Sequence, residues 1–214
     1  MATPRLHIGD KNYSSWSMRP WLALRAGGIA FEEVLHSLPE VGGKPSFGAV
    51  SPNARVPALD LDGVVIAESL AICEWAAEQN PTLWPKGSTD RALARSAAAI
   101  MHSGFPNLRN DAPMNIRRRT DAARMTPAGL EDAAKADELW RGWLKRSGGP
   151  FLFGDYSVAD AMYAPVVTRF ITYAIPRSSE AQAYMDRMVA EPNMAAWISA
   201  AQAETRQLPR SDIA

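Results

Sequence analysis

The sequence predicts two unlike folding units, a compact α/β unit with a mixed sheet followed by an all-α bundle. Three observations carry that expectation. Residues 1–80 alternate short β-like and helix-like segments. From Ser88 to Arg206 the chain is alanine-rich, with apolar positions at helical spacing. Asn80-Pro81 to Lys86-Gly87 joins the two with chain-breaking residues. The expected domains are 1–80 and 88–214, with 81–87 as linker.

In chain order, Leu6-His7-Ile8 reads as a short strand, followed by a polar loop from Asp10 to Ser17. Trp21 to Leu24 reads as an apolar helix that Gly27-Gly28 ends. Ile29 to Leu35 is the second expected strand. Val56 to Leu61 and Val64 to Ile66 flank Asp62-Gly63, a hairpin signal because both residues tolerate positive φ. Glu68-Ser69 opens a helix carrying Leu70, Cys73 and Ala77. In the second unit, Thr126-Pro127 starts a helix with Leu139, Trp140, Trp143 and Leu144 on one stripe, and Gly148-Gly149 closes it. Leu152 to Asp155 reads as a brief extended piece, and Ala195 to Gln202 as a last helix after Pro192.

Composition narrows the function. The 214 residues are 47% hydrophobic and 21% charged, an ordinary globular balance. Lys+Arg 23 against Asp+Glu 23 gives zero formal charge, so no basic field favours nucleic acid or an anionic membrane. The longest uncharged run, Ser96 to Leu108, is far short of the ~20 residues that span a bilayer. No secretory h-region follows Met1, and the single cysteine, Cys73, permits no internal disulfide or CxxC pair. A soluble, cytoplasmic chain without nucleic-acid or membrane partners is expected. His7, His36 and His102 are scattered, and no metal is expected. Cys73, on the core face of its helix, reads as inert burial, and Arg117-Arg118-Arg119 as a solvated patch.

Three local features bear on chemistry. In Asn12 to Pro20, hydroxyls stand at a strand-to-helix turn, where free N–H groups and the helix dipole favour an anion. A serine there either donates to a thiolate and lowers its pKa or merely caps the helix. Arg55-Val56-Pro57-Ala58, with an X-Pro bond of either isomer, leaves the Val56 main chain free to pair with an extended ligand. Glu68-Ser69 at a helix start offers a carboxylate for an ammonium, and an N–H and hydroxyl for a carboxylate. A zwitterionic thiol peptide uses all three. A further pattern, Ser157 with Asp160, is a capping box, a folding element.

Taken in order, Ser-Ser-x-Ser-x-Arg at 14–19, Val56-Pro57, Glu68-Ser69 and the Ser157–Asp160 box resemble the cytosolic glutathione transferases, most closely a serine-type, zeta-like bacterial member. The resemblance covers essentially the whole chain and implies a thioredoxin-like N-terminal domain followed by a helical-bundle C-terminal domain. It implies glutathione as co-substrate, with Ser14 or Ser15 stabilising its thiolate. Val56 then pairs with the cysteinyl part, Pro57 is the cis-proline after it, and Glu68 and Ser69 hold the γ-glutamyl end.

The zeta pattern has a cysteine where this chain has Trp16, a departure that counts against zeta-type isomerisation of maleylacetoacetate and places Trp16 instead in the wall of the second-substrate pocket. Met101, His102 and Phe105 are the other expected pocket residues, with Arg109 a further polar contact, although Met101 and Phe105 also fit core packing. The expected reaction is conjugation of glutathione to a small hydrophobic electrophile. Alternatives are glutathione-dependent isomerisation, disulfide or peroxide reduction, and a non-enzymatic ligand-binding role. A homodimer is also implied.

Overall fold

The computed structural model describes residues 2–39, 47–209, 211 and 212. β1 (Arg5–Gly9) and β2 (Glu32–His36) are parallel, with Leu6 opposite Glu33 and Ile8 opposite Leu35. β3 (Ala58–Leu61) runs antiparallel to β1, and β4 (Val64–Ala67) antiparallel to β3, giving the order β2-β1-β3-β4. The hairpin turns at Asp62-Gly63, where φ is +56° and +92°, the signs that match the twist of the flanking strands. Alternation sends Leu6, Ile8 and Leu59 to the covered face, where all three are fully buried.

α1 (Ser15–Ala26) crosses from β1 to β2 and begins a turn and a half before its apolar run. Ser14 caps it: the side-chain oxygen accepts the Ser17 N–H. Gly28, at φ +67°, lets the chain leave the helix, and β2 starts at Glu32 rather than Ile29. The Ile29 amide is instead held by the Leu24 carbonyl at 3.0 Å. α2 (Ser69–Gln79) packs on α1 and buries Ile72, Cys73, Ala76 and Ala77. Burial pushes the Cys73 thiol well above its usual range, so it is a packing residue.

The second unit holds α3 (Ser88–Ser103), α4 (Pro106–Asp111), α5 (Pro127–Ser147), α6 (Val158–Thr172), α7 (Ser179–Ala190) and α8 (Pro192–Ala203). α6 is mostly apolar and buried along nearly its whole length, as a helix with neighbours on several sides must be, with Asp160 and Arg169 its buried charged residues. α1, α2, α3 and α7 pack against it, so α6 carries most of the helix packing between the two units, with α1 on α8 and α2 on α3 adding to it. Trp140, fully buried, meets the rings of Tyr163, Phe170 and Tyr184 at centroid distances of 5.9, 5.3 and 5.1 Å.

The capping box forms: Asp160 Oδ2 accepts the Ser157 N–H at 2.9 Å, closing the first turn of α6. Leu152–Asp155, expected to be extended, is a tight turn closed by a Phe151–Gly154 bridge, with Gly154 at φ +100°. Among the described residues, no helix is long and apolar enough to cross a membrane.

Candidate active site

A cavity of about 350 Å³ is lined by Val56, Pro57, Glu68 and Ser69 from the α/β unit, and by His102 and Arg109 from the helical unit. Trp16 from α1 lines it as well, with Asn53 and Arg55 completing the rim. The sheet places the first group. β3 begins only at Ala58, after a cis Val56–Pro57 peptide, and the Val56 main chain makes no hydrogen bond among the described residues. Glu68, the residue before α2, stands at φ +80°, an unfavourable conformation for a side chain of its kind. Its carboxylate accepts the Asn53 amide at 3.1 Å, and its second oxygen lies 3.9 Å from His102 Nε2.

Ser69 is 1% exposed, and its hydroxyl has no partner among the described residues. It is the first residue of α2, whose leading N–H groups are free and carry the positive end of the helix dipole. A buried hydroxyl and free amides at one point form a place for a carboxylate.

Trp16 is surrounded by cations. The Arg19 guanidinium lies 4.2 Å from its ring and that of Arg109 5.3 Å, with the His102 ring edge-on at 5.4 Å. Arg19 is fully buried and donates to the carbonyls of Met162 and Ser15, leaving one nitrogen unpaired among the described residues. Burial, then the neighbouring Arg169 and Arg109, pulls its pKa well below the usual arginine value. Burial also lowers that of Arg109, against a pull upward from Asp132.

Ser14 and Ser15 immediately precede Trp16 in the chain but do not themselves line the cavity. Ser14 Oγ lies 2.7 Å from Ser17 Oγ and accepts the Ser17 N–H at 3.4 Å. The Ser15 hydroxyl makes no hydrogen bond among the described residues, while its carbonyl accepts Arg19.

Two expected pocket residues are elsewhere. Met101 and Phe105 are 0% and 6% exposed and belong to the core. The α3 stripe Ala94, Ala97, Ala98 and Met101 turns inward, which leaves the neighbouring His102 at the cavity. Phe105 sits before α4 at φ +56°, its ring 6.2 Å from that of Tyr163. Arg117 is also no solvated patch: it donates to Tyr13 Oη at 3.0 Å and to the carbonyls of Glu204 and Arg206. His7 and His36, far apart in the chain, meet at 2.9 Å across β1 and β2. Asn53 was not visible as a site residue; its position in a Ser-Pro-Asn turn signals a loop, not a contact with Glu68.

Comparison with known proteins follows the same lines. The model of the glutathione S-transferase N-terminal domain matches residues 13–79. The maleylacetoacetate isomerase of Rattus norvegicus is 30% identical over 170 residues, 77% of this chain and 76% of that one. The maleylpyruvate isomerase of a Ralstonia species is 34% identical over 179 residues, 73% and 80% of the two chains. The crystal structure of a glutathione transferase from Methylococcus capsulatus has a TM-score of 0.69 at 26% identity, covering 93% and 98%. A glutathione transferase homologue from Burkholderia gl BGR1, solved with bound glutathione, shares the fold at a TM-score of 0.73 and 23% identity, covering 95% and 100%. With a thioredoxin-like first unit and a helical second one, this chain belongs to the glutathione S-transferase family.

Proposed function

We propose that the protein binds glutathione in this cavity, ionises its thiol beside Ser14, and adds the thiolate to an electrophilic carbon of a small acceptor bearing a carboxylate. The observation that carries the reading is Ser69, a buried hydroxyl at the start of α2 without a partner among the described residues, in the same cavity as the Val56 main chain, unpaired among those residues, and Glu68. A γ-glutamyl group satisfies these at once: its carboxylate takes the Ser69 hydroxyl and the α2 amides, and its ammonium takes Glu68. The cysteinyl amide pairs with the Val56 main chain, as a strand pairs at a sheet edge. The sulfur then meets the N-terminus of α1, where a hydroxyl and the helix dipole favour the anion over the thiol.

The charge of the cavity selects the acceptor. Once Glu68 is matched by the ammonium, Arg55 and Arg109 remain, with Arg19 behind Trp16. With Met101 and Phe105 in the core, the apolar wall expected for a purely hydrophobic electrophile is reduced to Trp16, Val56 and Pro57. An anionic acceptor fits this surface better.

The same adduct supports isomerisation. Thiolate addition to one carbon of a cis double bond leaves a single bond, rotation follows, and elimination expels the thiolate and restores a trans double bond. The relatives named as maleylacetoacetate and maleylpyruvate isomerases favour this outcome, as does the cationic cavity. Glutathione is then regenerated, whereas conjugation consumes it mole for mole.

The test follows free thiol and acceptor together, with a cis-configured unsaturated keto acid and with a neutral aryl halide. Turnover of the keto acid at constant thiol supports isomerisation; matched loss supports transfer. Turnover of the aryl halide alone overturns the anionic-acceptor reading. Ser14→Ala is expected to raise the pKa of bound glutathione while largely preserving its affinity, read by thiolate absorbance against pH. An unchanged pKa there and in Ser15→Ala overturns the serine reading.

A further inference from the structure

Ser17 lies one turn into α1 and is fully buried. Its Oγ accepts the Gly9 N–H at 3.1 Å and lies 2.7 Å from Ser14 Oγ. Heavy-atom positions do not fix hydroxyl protons, so the direction of the second bond follows from who else is present. Gly9 can only donate to Ser17, and among the described residues the only atom placed to accept the Ser17 proton is Ser14 Oγ.

Were Ser14 the donor, the Ser17 proton would be buried without an acceptor, a rare and costly arrangement. With Ser17 as donor, every polar atom of the fully buried Ser17 is matched, and the one hydroxyl proton left over is that of Ser14, which keeps 6% exposure. Ser14 Oγ then accepts from both the Ser17 hydroxyl and the Ser17 N–H, which occupies its lone pairs. Among the described residues its own proton then has no acceptor, which leaves it for a ligand. The chain Gly9 N–H to Ser17 to Ser14 also polarises in one direction, each donor strengthening the next.

The end of β1 makes this relay possible. A Cβ on Gly9 would stand 2.7 Å from Leu38 Cδ2 and 3.2 Å from Ser14 Cβ, so a side chain there would crowd the approach of the strand to the start of α1.

We propose that Ser17 is a positioning residue, holding the Ser14 hydroxyl in the rotamer that presents its proton to a bound sulfur anion. The proposal rests on the reading of Ser14 as the thiolate's donor. Ser17 touches neither glutathione nor the acceptor and acts only through Ser14.

The experiment compares Ser17→Ala, Ser17→Cys and Ser14→Ala with the unmodified protein, reading the thiol pKa of bound glutathione by thiolate absorbance. The glutathione dissociation constant is measured in parallel at a pH where the bound thiol is neutral. Ser17→Ala is expected to raise the bound thiol pKa by about one unit, lowering the thiolate fraction about tenfold below that pKa. The dissociation constant should move less than about twofold, since Ser14 would lose orientation and not presence. Ser17→Cys, a weak donor of nearly the same shape, should fall between the two.

A purely structural role for Ser17 would lower thermal stability without moving the thiol pKa, and that result overturns the proposal. Where Ser17→Ala does not fold, Ser17→Cys decides, an unchanged pKa being the negative outcome. A pKa unmoved in Ser14→Ala itself overturns the serine reading first, which separates that failure from one confined to Ser17.

Discussion

At the scale of single residues, Ser69 offers a direct measure of what the cavity holds. Its hydroxyl is buried and unpaired among the described residues, so Ser69→Ala removes no hydrogen bond seen there and should leave stability nearly unchanged. Binding behaves differently, because a hydrogen bond to a carboxylate contributes ~1.5 kcal/mol or more. The expected outcome is roughly a tenfold rise in the glutathione dissociation constant, by calorimetric titration, with the bound thiol pKa unmoved. A simultaneous pKa shift would show that Ser69 reaches the sulfur end instead. The serine was readable in the sequence because Glu-Ser at a helix start is a local pattern. Asn53, which fixes the Glu68 carboxylate from 15 positions away, was not readable, because its role exists only once the two loops meet.

Among the elements, α6 depends on a buried carboxylate. Asp160 is fully buried, and that burial raises its pKa to about 6 against donors from Leu152, Ser157 and Tyr184 that favour the anion. A folded-state pKa above the unfolded value of ~3.9 means that the native state binds the extra proton between those limits. The stability this contributes is therefore full below about pH 4 and lost as pH rises through about 6. Urea unfolding of Asp160→Asn and of the unmodified protein should show the unmodified protein's advantage shrinking by about 2–3 kcal/mol across that window. A difference independent of pH would mean that Asp160 keeps an ordinary pKa. The box itself was legible because its partners are three positions apart. Met101 and Phe105 were not resolved, since helical spacing reports a shared face and not whether that face meets the core or a cavity.

Across the whole molecule, the loop before Ser14 is held by the far end of the chain. Glu204, just past α8, accepts the Lys11 N–H at 2.7 Å and the Asn12 N–H at 2.9 Å, one on each carboxylate oxygen. Arg206 donates to Asp10 at 2.6 Å, and Tyr13 Oη donates to Asp212 at 3.0 Å while accepting the Leu208 N–H at 3.1 Å. Asn12 is further tied to Asn115 at 2.9 Å. None of these contacts was legible in the sequence, because pairing across 103 to 199 positions leaves no spacing to read; Arg117, taken for a surface charge, belongs to the same network. The two-unit division and the site motifs were readable because they are written in local periodicity and neighbouring residues. The tail has a function to test. Glu204→Gln turns one acceptor into a donor facing a backbone N–H, which should cost about 1–3 kcal/mol of stability. If the loop's fixed position is what aligns Ser14, the same change should raise the bound thiol pKa and lower kcat, with acceptor KM little altered. Loss of stability with an unchanged thiol pKa would confine the tail to folding. A joint change would show that the last residues of the helical unit set the chemistry at the first turn of α1.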